Sequence, residues 1–317
     1  MRLVTYERAG VVAPGALLPG GDVLDLAEVL DDGGAPARDH DLTALLAAGA
    51  LPRARALVEA AEAALAAGVA AGAGSVGAVH PIAEVRLLAP VRPGKLLCIG
   101  YNYRGHEADG QVADPEFPDV FVKTANTVVG PQDAVVVPRA SGNVDYEAEV
   151  GIVVGSRCHE VDEAEALDHV AGYTIVNDVS ARDWQGRTSQ WALGKSFDTF
   201  APLGPALVTT DEVGDPHALE VTLRHNGRLT VSSSTARMVF SMAFLVSYLS
   251  QVMTLEPGDV IATGTPQKLP EALAAPAPMR PGDVVEITVS RLGTLRTAVV
   301  APSHPDPSGA ARAGRPR

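Results

Sequence analysis

Hydrophobic and polar positions follow two different patterns along the 317-residue chain. Up to about residue 80, short alternating runs ("RLVTYE", "GDVLDLAEV") predict strands, and an Ala-rich stretch over about 52–68 has helical spacing, with Glu59 and Glu62 on one exposed face. From about residue 83 the pattern changes to many short β-branched runs that are separated by turns. The pattern predicts a mixed chain in which strands dominate the larger part.

Three of the β-runs follow a Pro-Gly pair: "VRPGKLLCIG", "LEPGDVIATG" and "MRPGDVVEIT". Proline presets the turn and glycine supplies a positive φ, so each predicts a turn followed by a strand. Their irregular spacing favours one β-rich domain over a solenoid. Two helices are predicted within it: "VDEAEALDHV", with Asp162 as its N-cap, and "SMAFLVSYLSQVM", which is apolar nearly all round and therefore expected to be buried.

These changes of pattern divide the chain into three parts. We expect a small N-terminal domain over residues 1–80 and a large domain over 81–302, joined through a low-complexity Gly/Ala connector. Residues 303–317 are rich in Pro, Gly and Arg, and we expect this tail to be disordered. The fold class is predicted to be α+β, dominated by strands.

Composition narrows the range of partners and compartments. The net charge of −13 argues against nucleic acid or an anionic membrane as the main partner, because a phosphate footprint needs clustered Lys and Arg. A small anionic substrate remains compatible, since it senses the local field of a site. Cys98 and Cys158 have neither metal-ligand spacing nor a redox pair, and no apolar stretch is long enough to span a bilayer. A reduced, cytoplasmic protein is therefore expected.

Carboxylates occur where a buried strand would normally exclude them. The run "VDYEAEVGIVVG" (144–155) is β-branched, yet it carries Glu147 and Glu149 on one face with Asp145 in line. Burying two like charges together costs several kcal/mol per ion unless something compensates. A hard divalent cation (Mg²⁺, Mn²⁺ or Ca²⁺) compensates both charges, whereas an edge strand with a solvated acidic face needs no ion. This stretch alone leaves both interpretations open.

Two other segments offer groups that would complement such a site, a third carboxylate and a cation. The strand-like run "GYTIVNDVSARDWQ" ends at Asp178, where a third carboxylate would complete a set, although a lone Asp at a strand end is usually a cap. In "WALGKSFDTF", Lys195 lies among apolar residues. It is either a surface lysine with a buried stem or a cation directed at an anion that forms during a reaction.

Two loops offer groups for catalysis and ligand binding. In "IGYNYRGHEADG", His106 is a candidate general base oriented by Asp109, or else an exposed loop histidine. In "VIATGTP", Gly264 and Thr265 end a strand, where small residues permit close approach of a ligand or simply form a turn.

Taken in order, seven segments closely resemble the fumarylacetoacetate hydrolase superfamily, over about residues 92–300. They are "GYNYRGH", "FVKTANTVVG", "DYEAEVGIVVG", "GYTIVNDVSARDWQ", "GKSFDTFAPLGP", "LSQVMTLEPGDVIATGTP" and "MRPGDVVEI". The resemblance implies a catalytic domain built on a distorted β-roll, usually in a homodimer. It also implies a Mg²⁺ ion, or alternatively Mn²⁺ or Ca²⁺, held by Glu147, Glu149 and Asp178.

The resemblance implies roles for the remaining candidates. Arg182 and Gln185 match positions that contact substrate or order the loop above it, and Thr265, with Gly264 beside it in the turn, matches a contact with the substrate carboxylate. Lys195 matches a lysine near the reacting carbonyl, and His106 matches the histidine of a catalytic dyad.

The activity that the resemblance implies is metal-dependent cleavage of a C–C bond in acylpyruvate-like or fumarylpyruvate-like acids, with the ion stabilising an enolate. The alternative is decarboxylation of oxaloacetate-like acids or isomerisation of oxo acids on the same fold. Two departures bear on this choice: Asp109 replaces the usual glutamate of the hydrolases, and "TPQKLPEAL" replaces a glycine-rich continuation. The first makes hydrolysis only modestly favoured, and the second predicts a reshaped pocket rim. The acidic segment "EADGQVADPEFPD" is expected to be a lid that orders on substrate binding.

Overall fold

The computed structural model describes residues 1–30, 40–68, 78–105 and 114–303. Several expectations lie outside these ranges: most of the Gly/Ala connector, His106 and Asp109, the first part of the expected lid, and the C-terminal tail from residue 304.

The strands and helices follow in chain order. The strands before residue 137 are β1 (Arg2–Arg8), β2 (Val11–Leu17), β3 (Val23–Asp25), β4 (Val79–His80), β5 (Arg86–Leu88), β6 (Leu96–Gly100), β7 (Asp119–Lys123), β8 (Val128–Val129) and β9 (Ala134–Val136). The later strands are β10 (Val144–Asp145), β11 (Ala148–Val154), β12 (Val170–Asn177), β13 (Ser180–Ala181), β14 (Ala201–Thr209), β15 (Glu220–His225), β16 (Arg228–Ser234), β17 (Val260–Ala262), β18 (Val284–Val289) and β19 (Gly293–Val300). The α-helices are α1 (Leu42–Ala47), α2 (Leu51–Ala66), α3 (Arg182–Gln185), α4 (Ala192–Lys195), α5 (Thr210–Val213), α6 (Met242–Ser250) and α7 (Pro270–Ala274).

Most strands join one large sheet. Its order is β4-β3-β2-β1-β14-β12-β11-β17-β6-β7, with β5 paired to β1 and β8 paired to β14. The N-terminal strands therefore extend the sheet that the later part of the chain builds, through the antiparallel pair of β1 and β14. A separate domain boundary at residue 80 stays a prediction.

The centre of the large sheet is buried on both faces. Alternate residues of β11 show this: Val150, Ile152 and Val154 pack toward the five-stranded sheet β16-β15-β18-β19-β9 and α6. Val153 packs on the opposite face, in the core that contains the buried residues of α1 and α2. Because both faces are covered, any carboxylate on the central strands is far from bulk water unless a cavity reaches it.

The local expectations have mixed outcomes. Strands follow all three Pro-Gly turns, the Ala-rich helix forms as α2, and α6 forms with the Ser241 side chain accepting the Phe244 amide as its N-cap. The helix predicted over "VDEAEALDHV" is wrong, because after Asp162 the chain makes turns and only a short 3₁₀ segment, Ala166–His169. The β-dominated α+β class is confirmed. No helix among the described residues is long and apolar enough to cross a membrane.

Candidate metal and substrate site

A break in strand pairing positions the first two carboxylates. The predicted continuous strand 144–155 is interrupted, since β10 pairs with β13 and β11 pairs with β12. Where the pairing changes partners, the Glu147 amide donates to the Asn177 side chain at 3.2 Å, and the Asp178 amide donates to the Glu147 carbonyl at 3.0 Å. Glu147 thus sits just before β11 and Glu149 lies within it. The break turns both side chains into the interior.

Asp178 completes the cluster from the neighbouring strand. It follows directly after β12 and is buried, as are Glu147 and Glu149. One carboxylate oxygen from each of the three lies within 4.8 Å of the others. The structure therefore brings together the three residues that the sequence nominated, and it places them in the interior and not on a solvated edge.

Two buried lysines neutralise part of this charge. Lys195, at the end of α4, donates to Glu147 at 2.7 Å and to Asp178 at 2.6 Å. Lys123, the last residue of β7, donates to the other Asp178 oxygen at 2.6 Å and to the Val179 carbonyl at 3.0 Å. Of the two interpretations of Lys195, the cation directed at the site matches its position.

The three carboxylates differ in electrostatic environment. Burial acts to raise the pKa of Glu147, but the adjacent Lys195 and Arg182 cations outweigh it and hold that pKa below its usual value. Burial raises the pKa of Glu149 well above its usual value, and the charges of Asp178 and Glu147 raise it further. Among the described residues, no Lys or Arg forms an ion pair with Glu149. Glu149 is the carboxylate whose charge most needs an added cation.

The donor set fits a hard divalent ion. Three converging carboxylate oxygens, with no sulfur and no imidazole among the described residues of the cluster, match the ligands preferred by Mg²⁺, Mn²⁺ and Ca²⁺. The Gly264 amide donates to Glu149 at 2.9 Å and fixes its orientation. Gly264 has φ +95°, and a side chain there would come within 2.9 Å of the Ile99 carbonyl, so glycine is required for this approach.

A further network of ion pairs runs outward from Glu147. Arg182 opens α3 and donates to Glu147 at 2.7 Å and to one oxygen of Asp145 at 2.9 Å. It also donates to the Gln185 side chain at 3.0 Å. Lys268 donates to the second oxygen of Asp145. Asp145 is therefore outside the cluster of three carboxylates, and it bridges Arg182 and Lys268.

A cavity of about 470 Å³ opens onto these groups, a size typical of small-molecule sites. Its apolar walls include Ile99, Phe121 and Trp191, whereas Gln185 and Thr265 belong to its polar lining. These polar groups converge with the carboxylates in one concave place.

The described candidates thus meet in a single site, and their individual roles stay predictions. Lys123, Lys268 and the aromatic walls are parts of the site to which the sequence pattern gave no role. Lys123 was detectable in principle, since a lysine ending the apolar run "DVFVK" is out of place on a strand. Trp191 was not, because its contact with Gly100 across the pocket depends on tertiary structure.

Comparisons with known proteins bear on what such a site does. A family profile described as "Fumarylacetoacetate (FAA) hydrolase C-terminal" matches residues 95–300. Among curated proteins, the chain is 47% identical to the mitochondrial oxaloacetate tautomerase FAHD2B of Bos taurus, over 70% of this chain and 72% of that protein. It is 46% identical to the mitochondrial oxaloacetate tautomerase FAHD2A of Homo sapiens, over the same shares of the two chains.

Solved structures agree over nearly the whole chain. A 5-carboxymethyl-2-hydroxymuconate delta-isomerase from Mycobacterium smegmatis is 34% identical with a TM-score of 0.73, covering 95% of this chain and 100% of that one. A maleylpyruvate hydrolase from Sphingobium sp. SYK-6, in complex with manganese(II) and pyruvate, is 30% identical with a TM-score of 0.73, covering 95% and 99%. These relatives include an isomerase and a hydrolase.

Proposed function

This chain belongs to the fumarylacetoacetate hydrolase family, and from that premise we propose that it is a divalent-metal-dependent enzyme that interconverts the keto and enol forms of a small 2-oxo acid. The relatives support an enzyme of small oxo acids. Tautomerisation is preferred to the hydrolysis that the sequence favoured, because relatives at 46–47% identity are oxaloacetate tautomerases.

The observation that carries the proposal is the buried triad of Glu147, Glu149 and Asp178 at one cavity with Lys195. A Mg²⁺ ion there, with Mn²⁺ or Ca²⁺ as alternatives, would supply a Lewis acid that polarises a carbonyl and stabilises charge on its oxygen. The manganese in a related hydrolase supports a divalent ion of this kind.

The chain's own groups complete the environment for an enolate. Lys195 holds its ammonium between two carboxylates, where its pKa is raised because burial, which favours the neutral amine, is outweighed by Asp178 and Glu147. It therefore stays charged beside a developing oxyanion. The Arg182 guanidinium is hydrogen-bonded to the Gln185 side chain on the cavity wall, and in this proposal the two orient a substrate carboxylate. Phe121 and Trp191 reduce the water around the reacting atoms.

Proton transfer at carbon needs a base, and we assign it to His106 on the strength of the family resemblance. His106 follows Gly105, the end of a described segment whose Arg104 amide is bonded to the Arg237 carbonyl at 3.0 Å. In this scheme His106 removes a proton from the carbon beside the carbonyl, and a proton is delivered to the carbonyl oxygen to give the enol; the reverse reaction returns a proton to carbon.

Hydrolysis of a C–C bond is the second candidate. It is favoured by the similarity to a maleylpyruvate hydrolase of 30% identity. In that reaction water would add to the distal carbonyl of a 1,3-dioxo acid, and the C–C bond would then break to release a carboxylic acid and the enolate of a 2-oxo acid, which is protonated on carbon. Assembly as a homodimer and a cytoplasmic location both stay predictions, and the curated relatives quoted above are named as mitochondrial.

The deciding experiment follows two reactions by ultraviolet absorbance. Purified protein with Mg²⁺ is given the enol of oxaloacetate, and separately an acylpyruvate. We expect fast loss of the enol band with oxaloacetate, complete suppression by EDTA, and recovery after adding Mg²⁺. Products are identified by mass, so that tautomerisation leaves oxaloacetate intact and decarboxylation yields pyruvate. Cleavage of the acylpyruvate without oxaloacetate tautomerisation would replace the proposal by the second candidate.

A further inference from the structure

Lysine is rare in this chain, and its placement is selective. The sequence contains four lysines against 21 arginines, so arginine supplies nearly every cation. Three of the four lysines, Lys123, Lys195 and Lys268, belong to the site described above. The fourth, Lys95, pairs with Asp259 at 2.6 Å and is not part of the cavity lining. The compact ammonium with rotatable donors is thus concentrated around the carboxylate cluster and its ion-pair network.

The site's charges form one alternating chain of ion pairs. In order, it runs Lys123, Asp178, Lys195, Glu147, Arg182, Asp145, Lys268. Both ends are lysines, but they differ in access: the Lys123 side chain is 0% exposed and the Lys268 side chain is 21% exposed. Only the Lys268 end therefore combines a terminal cation with access from solvent.

Of the four cations in this series of ion pairs, Lys268 donates hydrogen bonds to the fewest described protein acceptors. Arg182 contacts two carboxylates and an amide, and Lys195 contacts two carboxylates. Lys268 donates to Asp145 and lies 4.2 Å from the ring centroid of Tyr146, a contact that fixes it in place. An ammonium has three N–H donors, and the bond to Asp145 uses one. The others can serve an anion in the cavity that Lys268 lines.

The charge balance of the site calls for a second anion. The described residues of the network comprise the cations Lys123, Arg182, Lys195 and Lys268 and the carboxylates Asp145, Glu147, Glu149 and Asp178. With Glu149 ionised these cancel, so a bound divalent ion leaves a net charge of about +2. A monocarboxylate offsets half of that, and a dicarboxylate offsets all of it.

The segment that carries Lys268 is where this sequence departs from the glycine-rich continuation that the resemblance leads one to expect. It folds as a wall of the cavity, with α7 contributing Ala272 and Leu273, and Pro276 following. The segment thus contributes a cation as well as apolar surface to the cavity wall.

From these observations we infer that Lys268 determines specificity by binding the second carboxylate of a dicarboxylic oxo acid, while the first carboxylate and the carbonyl occupy the metal end. The inference rests on the proposed function for its substrate class. Removal of the ammonium therefore affects dicarboxylic ligands more than monocarboxylic ones.

The test compares two substrates in three variants of the full chain with Mg²⁺. The probes are the enols of oxaloacetate, with two carboxylates, and of phenylpyruvate, with one. In Lys268→Met, the ratio of kcat/KM for oxaloacetate over phenylpyruvate falls by about 10- to 100-fold, as expected for a lost charge-assisted hydrogen bond. Lys268→Arg, which keeps the charge, retains most of the ratio. Lys95→Met, which removes a lysine outside the cavity, keeps the wild-type ratio. An unchanged ratio in Lys268→Met overturns the inference.

A binding measurement separates this inference from the proposed function. Calorimetry with the Mg²⁺-loaded protein compares 2-oxoglutarate with 2-oxopentanoate, which have the same chain length but differ by one carboxylate. We expect wild type to prefer 2-oxoglutarate by at least tenfold and Lys268→Met to lose that preference. If wild type turns over neither enol yet shows this pattern, the proposed function fails and the role of Lys268 stands. No preference in wild type, or one that survives in Lys268→Met, overturns the role of Lys268.

Discussion

Replacing Glu149 by glutamine tests the proposed metal-binding role of this carboxylate separately from its effect on stability. Glutamine has nearly the same shape and keeps an oxygen for the Gly264 amide, which donates to Glu149 at 2.9 Å. The change therefore removes a charge while leaving the packing of β11 intact. It should abolish tight binding of a divalent ion, because one of three converging ligands is lost.

The stability effect has the opposite sign from that of most buried substitutions. At 4.8 Å, the upper limit of the separations in the cluster, two unit charges repel by about 3.5 kcal/mol at an effective dielectric of 20. Protonation caps this cost. Holding Glu149 neutral at pH 7, against its ordinary pKa of 4.5, costs at most about 3 kcal/mol. Without metal, the Glu149→Gln protein should therefore be more stable than wild type by up to about 3 kcal/mol.

The pH dependence follows from the direction of the shift. Because the pKa of Glu149 is raised in the folded protein, the folded state holds a proton that the unfolded state releases above about pH 4.5. Wild-type stability in EDTA then falls, relative to the glutamine variant, as pH rises from about 4.5 to 7. The two proteins should converge near pH 4.

Urea unfolding followed by tryptophan fluorescence measures this at pH 4, 5.5 and 7, in EDTA and in Mg²⁺. Mg²⁺ should stabilise wild type and leave Glu149→Gln unaffected. Glu286→Gln, which alters a carboxylate on β18 away from the cluster, serves as the matched control and should respond to Mg²⁺ like wild type. A glutamine variant that is less stable than wild type in EDTA at pH 7, or that gains as much from Mg²⁺, would refute the electrostatic reasoning.

Three further predictions concern the surrounding residues. Lys123→Met leaves one oxygen of Asp178 without its buried partner, so the free energy of unfolding in EDTA, measured by urea titration, should fall by about 3 kcal/mol. A decrease below about 1 kcal/mol would mean that the ion pair is not desolvated. Arg182→Lys keeps the charge but loses the guanidinium that bridges Asp145 and Glu147. The kcat/KM for the oxaloacetate enol should fall about 10- to 100-fold, with little change in the urea midpoint. An unaltered kcat/KM would show that the bridge does not matter for the reaction. Gly100→Ala would place a methyl group 2.5 Å from the Trp191 ring, so the ring must shift. The KM for the oxaloacetate enol should therefore rise several-fold, and tryptophan emission should shift. Unchanged emission would mean that the ring does not pack against Gly100.

The pattern of acidic residues located the carboxylate cluster better than it described the backbone there. Alternation along "DYEAEV" correctly placed Glu147 and Glu149 together, since residues two apart on an extended chain share a face. It did not reveal that pairing switches between β10 and β11. At that switch Glu147 bonds to Asn177, the last residue of β12, and to Asp178 directly after it, some thirty residues along the chain, and such contacts are not encoded in local periodicity.

The helix predicted after Asp162 does not form. The segment has a good capping residue and helical spacing, but the Glu160 amide bonds to the Ser250 carbonyl and the Val161 amide to the Ser250 side chain. Those contacts with the end of α6 fix the preceding turn, and only a short 3₁₀ segment follows. Within the segment, the backbone bonds run to the residue three positions back, as from the Asp168 amide to the Glu165 carbonyl at 3.0 Å, so turns and a 3₁₀ segment take the place of an α-helix.

The sequence by itself determined the β-dominated class, the strands after each Pro-Gly turn, and the residue types able to hold a hard metal ion, because these follow from local sterics, side-chain period and ligand chemistry. Only the tertiary structure decided that the acidic face is buried, that Lys123 and Lys195 neutralise it, and that Lys268 ends an ion-pair chain at the open side of the cavity. The reason is physical: desolvation and Coulomb energies depend on which groups from distant strands meet within a few ångströms, and that is set by how the sheets pack.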